Sequence, residues 1–513
     1  MRRNKKNVAL LLALSMLMTT FSSCGKQEEQ SNADKTKQTE QEIATTESEK
    51  TESEQPESEE LEPVTLRIFS MDASTPDDEL VEEYINNLPQ VQALNVTIDL
   101  VKFAGGQSEY QEKIPLLLST NEQMDIGWDN TTNFTGRIQQ GAYADISELV
   151  EADSEFYETI PESMWKGMEY NGGIYGVPTY KEMAEQWALF ASTEIMEKYN
   201  IDASAITDFQ DIEPVLAAYK EEGFAAPLGM KASNYLYAII LAVMDEYDFF
   251  GGYRFAVVDP QEGKTVQSVF RTEAFAEFIE TMCDWYQKGY IHQDVLTIDT
   301  KGLKTADGRK GVSAISYTPL AETIREEPTT VLKVAGDPKV TNASTRGSVN
   351  VIYEKCENKE RAYEFLKLWN TDPEVRNAFY HGVPGVHYNV VDGKAEYVEN
   401  KTDLYNAQNW TTGNVFISML KTDEPDDKWE QYEAFNASAT EAVDLGIFID
   451  TEKISDKISV INSVMAEYLP PLVFGLVEPE SGIEQLNEQL KAAGIDEVIA
   501  EFQAQFDAFL ASK

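Results

Sequence analysis

Flat aromatic rings stand beside short polar side chains at three places in this sequence: Trp128 with Asp129 in MDIGWDN, Tyr180 with Glu182 in IYGVPTYKEMA, and Trp410 with Asn414 in NWTTGN. A ring covers apolar C–H groups, while a carboxylate or amide takes up hydrogen bonds, so such pairs suit a solute with apolar faces and a rim of hydroxyls. Asp72, at the end of VTLRIFSMD, and Tyr317, at the end of GVSAISY, are further candidates of the same kind. Arg346 offers a cation, either to a ligand or to a salt bridge bracing two segments. All of these residue types also fill cores and surfaces, so their position in the fold has to decide between the roles.

Catalytic chemistry has less support. A glycosidase pair needs one carboxyl raised in pKa close to another, and among 89 Asp and Glu residues no pair stands out. The sequence has no G-x-S-x-G elbow, no H-E-x-x-H and no Walker A loop, so neither an enzyme nor an ATPase is expected. His381 and His387 lie in HGVPGVHY without an evident third ligand, which reads as a tight turn with a structural His387. The acidic loop Asp423, Glu424, Asp426, Asp427 lacks the alternating ligands and central glycine of a calcium loop. No cofactor or metal is expected.

The candidates must be positioned by an α/β framework. Alternation in VTLRIFSM, NVTIDLVKF and MDIGW predicts three strands, separated by the helical stretches LVEEYINNL and YQEKIPLLLST. That order gives a parallel sheet with right-handed crossovers, whose ligands bind beyond the carboxyl ends of the strands. Those ends carry Met71 and Asp72, Phe103, and Trp128 with Asp129. Asn171 to Ala184 then reads as a glycine turn followed by a short strand closed by Pro178, a chain leaving one set of elements for another. An ordinary hairpin within one domain is the local alternative. A second return is expected at GSVNVIY, followed by two helices, and the region from about 386 to 513 reads as mostly helical.

A chain of 513 residues exceeds one core and implies two or three domains. Its formal net charge of −47 argues against nucleic acid or an anionic membrane face as partner, since phosphate contacts need Lys and Arg. Arg2, Arg3, Lys5 and Lys6 precede the apolar run VALLLALSMLM, which is too short for a stable anchor and reads as a targeting segment. It ends at Phe21-Ser22-Ser23-Cys24, which resembles a bacterial lipobox apart from Phe21 in place of the usual Leu, so lipidation of Cys24 is expected. Two acyl chains there would hold the protein on a membrane. Gly25 to about Glu62 is polar, with a net charge of roughly −9, and reads as a flexible tether. Cys283 and Cys356 read as buried free thiols, with a pair between them the alternative.

Taken together, several stretches resemble the extracellular solute-binding proteins of ABC importers, in the family that includes maltodextrin binders. They are IYGVPTYKEMA, MDIGW, KERAYEFLKLWNTDPEVRN, GVPGVHY, DDKWEQYEAFNASA with LGIFID, and VMAEYLPPLVFGLVEP. More narrowly they resemble the lipoprotein-O-like subfamily of Gram-positive bacteria, which carries its own C-terminal domain. The resemblance covers the body from Pro63 to the end and implies an α/β, two-lobed, periplasmic-binding-protein-like (type II) fold with a hinge between the lobes. One lobe is expected over residues 63–178 and about 346–385, the other over 179–345 and about 386–513, after a signal peptide (1–23) and the tether (24–62). It further implies a monomer that hands a small solute, best a mono- or oligosaccharide, to the transmembrane permease subunits. An amino-acid or peptide ligand would favour Arg346 and Asp129 as charge partners for its termini. A surface-anchored carbohydrate-active enzyme, or an adhesin or sensor, are the readings from other classes.

Overall fold

The computed structural model describes residues 61–120, 122–321, 327–332 and 335–513. The targeting segment, Cys24 and nearly all of the tether lie outside the described residues.

The first sheet is built around the strands foreseen. Val64–Ala73, Val96–Phe103 and Ile126–Asp129 run parallel, with Val64–Ala73 between the other two. Two strands from later in the chain complete a sheet of five: Val349–Ile352 pairs antiparallel with Ile126–Asp129, and Val177–Pro178 pairs with Val349–Ile352 at the edge. An edge is where a proline is tolerated, because its missing N–H removes no ladder bond. Just before it, Glu169–Tyr170 and Gly173–Ile174 form a hairpin turned by Asn171 and Gly172, both at positive φ, as a two-residue turn of this twist requires. The local hairpin and the departure from the sheet are therefore both present, in succession.

Apolar side chains on both faces of this sheet form one core, running from Leu66 to Met183 and resuming at Val340. It continues through Trp369 and Phe379 to Tyr405 and reaches Leu445. This core thus continues well past the position near 385 at which the sequence reading drew a boundary, because the loops after the Pro373–His381 helix fold back over the sheet.

A second core starts at Trp187 and surrounds a three-stranded antiparallel sheet, Ser313–Ser316, Trp187–Ser192 and Thr329–Leu332. The helices Tyr235–Val243 and Glu273–Gln287 cover it, and so do three helices near the end of the chain: Ser455–Val473, Pro479–Ala492 and Ile495–Ser512. Phe502 and Phe506 pack on Phe250, so the C-terminal helices are part of the second core and not an appendage. Among the described residues no helix is long and apolar enough to cross a membrane. Cys283 and Cys356 are both buried and free, Cys356 within the first core.

The chain passes between the two cores three times. Ala184–Glu185, Lys339–Val340 and Thr440–Glu441 come together in a small sheet of their own, with Lys339–Val340 in the middle. Two of these passes lie close to the crossings expected near 180 and 345, and the third is made by the C-terminal region.

Candidate ligand-binding site

Asp72, Trp128 and Asp129 occupy the carboxyl ends of the parallel strands, and the return strand ties the 408–414 loop across those ends. Ser348 is the hub: its hydroxyl accepts from Trp128 Nε1 (2.8 Å), donates to the Thr411 carbonyl (3.1 Å) and meets Thr179 Oγ1 at 3.0 Å. Asn350 donates to the same Thr411 carbonyl (3.1 Å) and accepts from the Gly413 N–H (3.1 Å). A Cβ on Gly413 would lie 2.4 Å from the Trp369 carbonyl, so the loop's close approach requires glycine there. Beneath it the buried Arg376 donates to the carbonyls of Asn409 (2.7 Å) and Asn414 (3.2 Å). Ser348, Asn350, Thr411 and Arg376 escaped the sequence reading, because partners 33 to 220 residues apart leave no local pattern.

The sequence candidates divide by accessibility. Trp128 is 2% exposed, wedged edge-on between Tyr110 and Trp410, and Asp129 is fully buried, paired with Arg137 (3.2 Å) and accepting from the Tyr143 hydroxyl. These two form a sealed floor and present no free face. Burial raises the Asp129 carboxyl above its ordinary value, with Arg137 opposing. Asp72 is buried as well; it accepts from the Gln408 N–H (3.2 Å) and Ser70 Oγ (3.3 Å), and burial raises its pKa against the pull of Lys102. Asn414 uses its side chain on the Phe416 N–H (2.9 Å).

Trp410, Tyr180 and Tyr317 are half-buried. Tyr180 is bonded through its backbone to Gly413 (3.1 Å) and Val415 (2.9 Å), which joins the first pass to the 408–414 loop. Its ring starts an aromatic run, Tyr180 to Phe416 (4.6 Å), Phe416 to Trp429 (5.8 Å) and Trp429 to Tyr432 (5.9 Å). Glu182 lies beside this run, paired with Lys181 at 3.4 Å. Tyr317 reaches the same helix, Lys428–Ser438, by an edge contact with Phe435 (5.5 Å). On the second core the matching surface is Tyr237, 42% exposed and lying on Trp187 (4.9 Å) at the start of the strand that follows the first pass.

Arg346 resolves as a brace. It is buried, donates to the carbonyls of Gly167 (2.7 Å) and Ile447 (3.0 Å), and stacks on Phe448 at 3.6 Å, so it fastens the first core to the start of the C-terminal region. Burial works against its charge, and Asp444 compensates in part. Both charge partners that a peptide's termini would need, Arg346 and Asp129, are thus consumed internally. Asp444 itself accepts from the Gly251 N–H (2.5 Å), and its carboxyl is pushed up to about 6 by burial, with Asp248 adding to the rise. His381 spends both ring nitrogens, on the Tyr397 hydroxyl (2.8 Å) and the Met419 carbonyl (2.9 Å), and His387 faces Asp77 at 3.2 Å.

This arrangement has relatives. A carbohydrate ABC transporter substrate-binding protein of Streptococcus pneumoniae (serotype 4) is 29% identical over 421 residues, 80% of this chain and 84% of that protein. The crystal structure of the N-glycan transport solute binding protein NgtS, also from S. pneumoniae, superposes with a TM-score of 0.76 at 25% identity, covering 88% of this chain and 99% of NgtS. The chain is similar to the solute-binding proteins of ABC importers. The alginate-binding protein AlgQ2 shares the fold of this solute-binding protein at 17% identity and a TM-score of 0.57. Residues 445–511 match a domain of unknown function, DUF3502, which agrees with a subfamily that has its own C-terminal domain. In this solute-binding protein that match begins where the chain has completed its third pass, and it supplies the terminal helices of the second core. Its relatives are transport proteins and not enzymes, and the family places it outside the cell or at the membrane.

Proposed function

We propose that this protein captures a carbohydrate outside the cell and delivers it to an ABC permease, while a lipid on Cys24 and the acidic tether hold its body near the membrane. The observation that carries the carbohydrate reading is the half-buried aromatic run from Tyr180 to Tyr432, with Trp410 on the loop bonded to Tyr180 and Tyr237 on the other core. It is supported by the relatives: NgtS has been crystallised with Man1GlcNAc and with Man5GlcNAc. We assign the first lobe to the segments feeding the first core, up to the pass at Ala184–Glu185 and again from Lys339–Val340 to Thr440–Glu441, and the second lobe to the rest. Capture is a hinge closure about the small sheet of passes: solute held by one lobe recruits the other, and the closed form gains only by the extra contacts the solute makes there. No catalytic step is assigned, since the deep carboxylates Asp72, Asp129 and Asp444 are all committed to protein donors.

A thermal-shift screen of the chain from residue 24 with Cys24→Ser tests this. A sugar at a hundred times its Kd should stabilise the protein by about 2.7 kcal/mol. Shifts with Man1GlcNAc or related glycans, and none with amino acids or peptides, are expected. Shifts with peptides alone would overturn the carbohydrate reading, and release of reducing sugar by the purified protein would overturn the non-catalytic one.

A further inference from the structure

The largest concavity among those described lies beside the sheet end, not between the cores. It measures about 600 Å³ and is walled by Tyr380, Tyr397 and Trp410 on the ring side and by Asn406, Gln408 and Lys421 on the polar side. It borders the site above, because Trp410 lines both and the Gln408 N–H, on its wall, donates to Asp72. We propose that this concavity receives the outer sugar units of a neutral oligosaccharide whose inner unit sits at Trp410 and the aromatic run, so that the protein selects for chain length. The inference rests on the carbohydrate reading and deepens it.

The wall carries the chemistry this needs. Trp410 and the two tyrosines are half-buried and offer ring surface to C–H faces. Asn406 is exposed and its amide makes no hydrogen bond among the described residues, so both its donor and its acceptor are free for hydroxyls. The Lys421 ammonium stands over the Tyr380 ring (5.6 Å) and the Tyr397 ring (5.3 Å) and forms no ion pair among the described residues. Its three N–H donors are therefore available to hydroxyls. Glu396 and Asp423 on the same rim offset that cation, so an acidic sugar gains nothing over a neutral one. The volume falls within the range that encloses a whole small ligand. A single sugar at the sheet end would leave it unused.

The test is isothermal titration of the chain from residue 24 with Cys24→Ser, using two probes: a mannosyl-N-acetylglucosamine disaccharide and the branched, mannose-rich oligosaccharide that extends the same pair. The long probe should bind at least about tenfold more tightly than the disaccharide, a difference of about 1.4 kcal/mol. Asn406→Ala and Lys421→Met, both rim substitutions, should bring the long probe to within about threefold of the disaccharide while leaving disaccharide binding and the melting temperature unchanged. Equal affinity of the parent for the two probes, or rim variants that leave the long probe unaffected, would overturn the length selection and leave the carbohydrate reading standing. Binding of neither probe by the parent would overturn both.

Discussion

Trp128 and Trp410 are neighbouring indoles with ring centres 6.1 Å apart, yet they belong to different kinds of surface. Trp128 lies in a floor where its own N–H is answered by Ser348 and Asp129 by Arg137 and Tyr143. Trp410 lies in a loop held from below through its neighbours Thr411 and Gly413, while its indole N–H answers only Gln408, on the same loop, at 2.7 Å. In the carbohydrate reading proposed above, the first gives rigidity and the second contact. A binding site of this type needs both, since a ring that meets solute must already be held in place if little ordering entropy is to be lost on binding.

The contrast can be broken most forcefully at the floor. Arg137→Met leaves the buried Asp129 carboxylate without its cation, and the expected loss is about 3–5 kcal/mol of unfolding free energy in urea titration. A loss below about 1 kcal/mol would mean that the floor is not sealed.

Next in size is the junction of the passes. The Asp444 carboxyl, pushed up to about 6, lies above its unfolded value of about 3.9, so the folded protein holds this proton more tightly than the unfolded chain. The group's contribution is thus most favourable below pH 4 and becomes a cost as pH rises through 6. Asp444→Asn, which keeps an acceptor for the Gly251 N–H, should gain relative to the parent between pH 4 and pH 7, by at most about 3 kcal/mol. A variant-minus-parent difference independent of pH in melting experiments would refute the assignment.

Trp410→Ala sharpens the comparison from the other side: sugar affinity should fall about tenfold, with stability changed by no more than about 1.5 kcal/mol. The reverse pattern, a large loss of stability with affinity intact, would make Trp410 another floor residue. Smallest of all is Glu182→Gln, whose pair with Lys181 is partly exposed; its effect on stability should stay under about 0.5 kcal/mol. Any clear change in sugar affinity would then come from Glu182 itself.

The framework was legible because it is local. Alternating apolar residues marked Val64–Ala73, Val96–Phe103 and Ile126–Asp129, and the Asn-Gly-Gly turn with Pro178 marked the departure from the sheet. The sheet end drew attention to Asp72, Trp128 and Asp129, but burial, which no window of sequence reveals, made them supports. Trp410 was nominated for its composition, while the residues that hold its loop, Ser348 and Asn350, were invisible because their side chains look like those of any strand. The Lys428–Ser438 helix hid its role for a related reason: Phe416, Trp429 and Tyr432 become a surface only after distant segments are brought together. The third pass, expected near 385, falls at Thr440–Glu441, a strand of two residues too short to announce itself.

That third pass has a consequence for how the protein withstands proteases. With Ala184–Glu185, Lys339–Val340 and Thr440–Glu441 side by side, cleavage of any single pass leaves two covalent connections between the halves. Asn436 adds a clasp, accepting from the Met183 N–H (2.9 Å) and donating to the Lys181 carbonyl (2.9 Å). A molecule nicked once at the junction should therefore stay whole and keep its two halves in register.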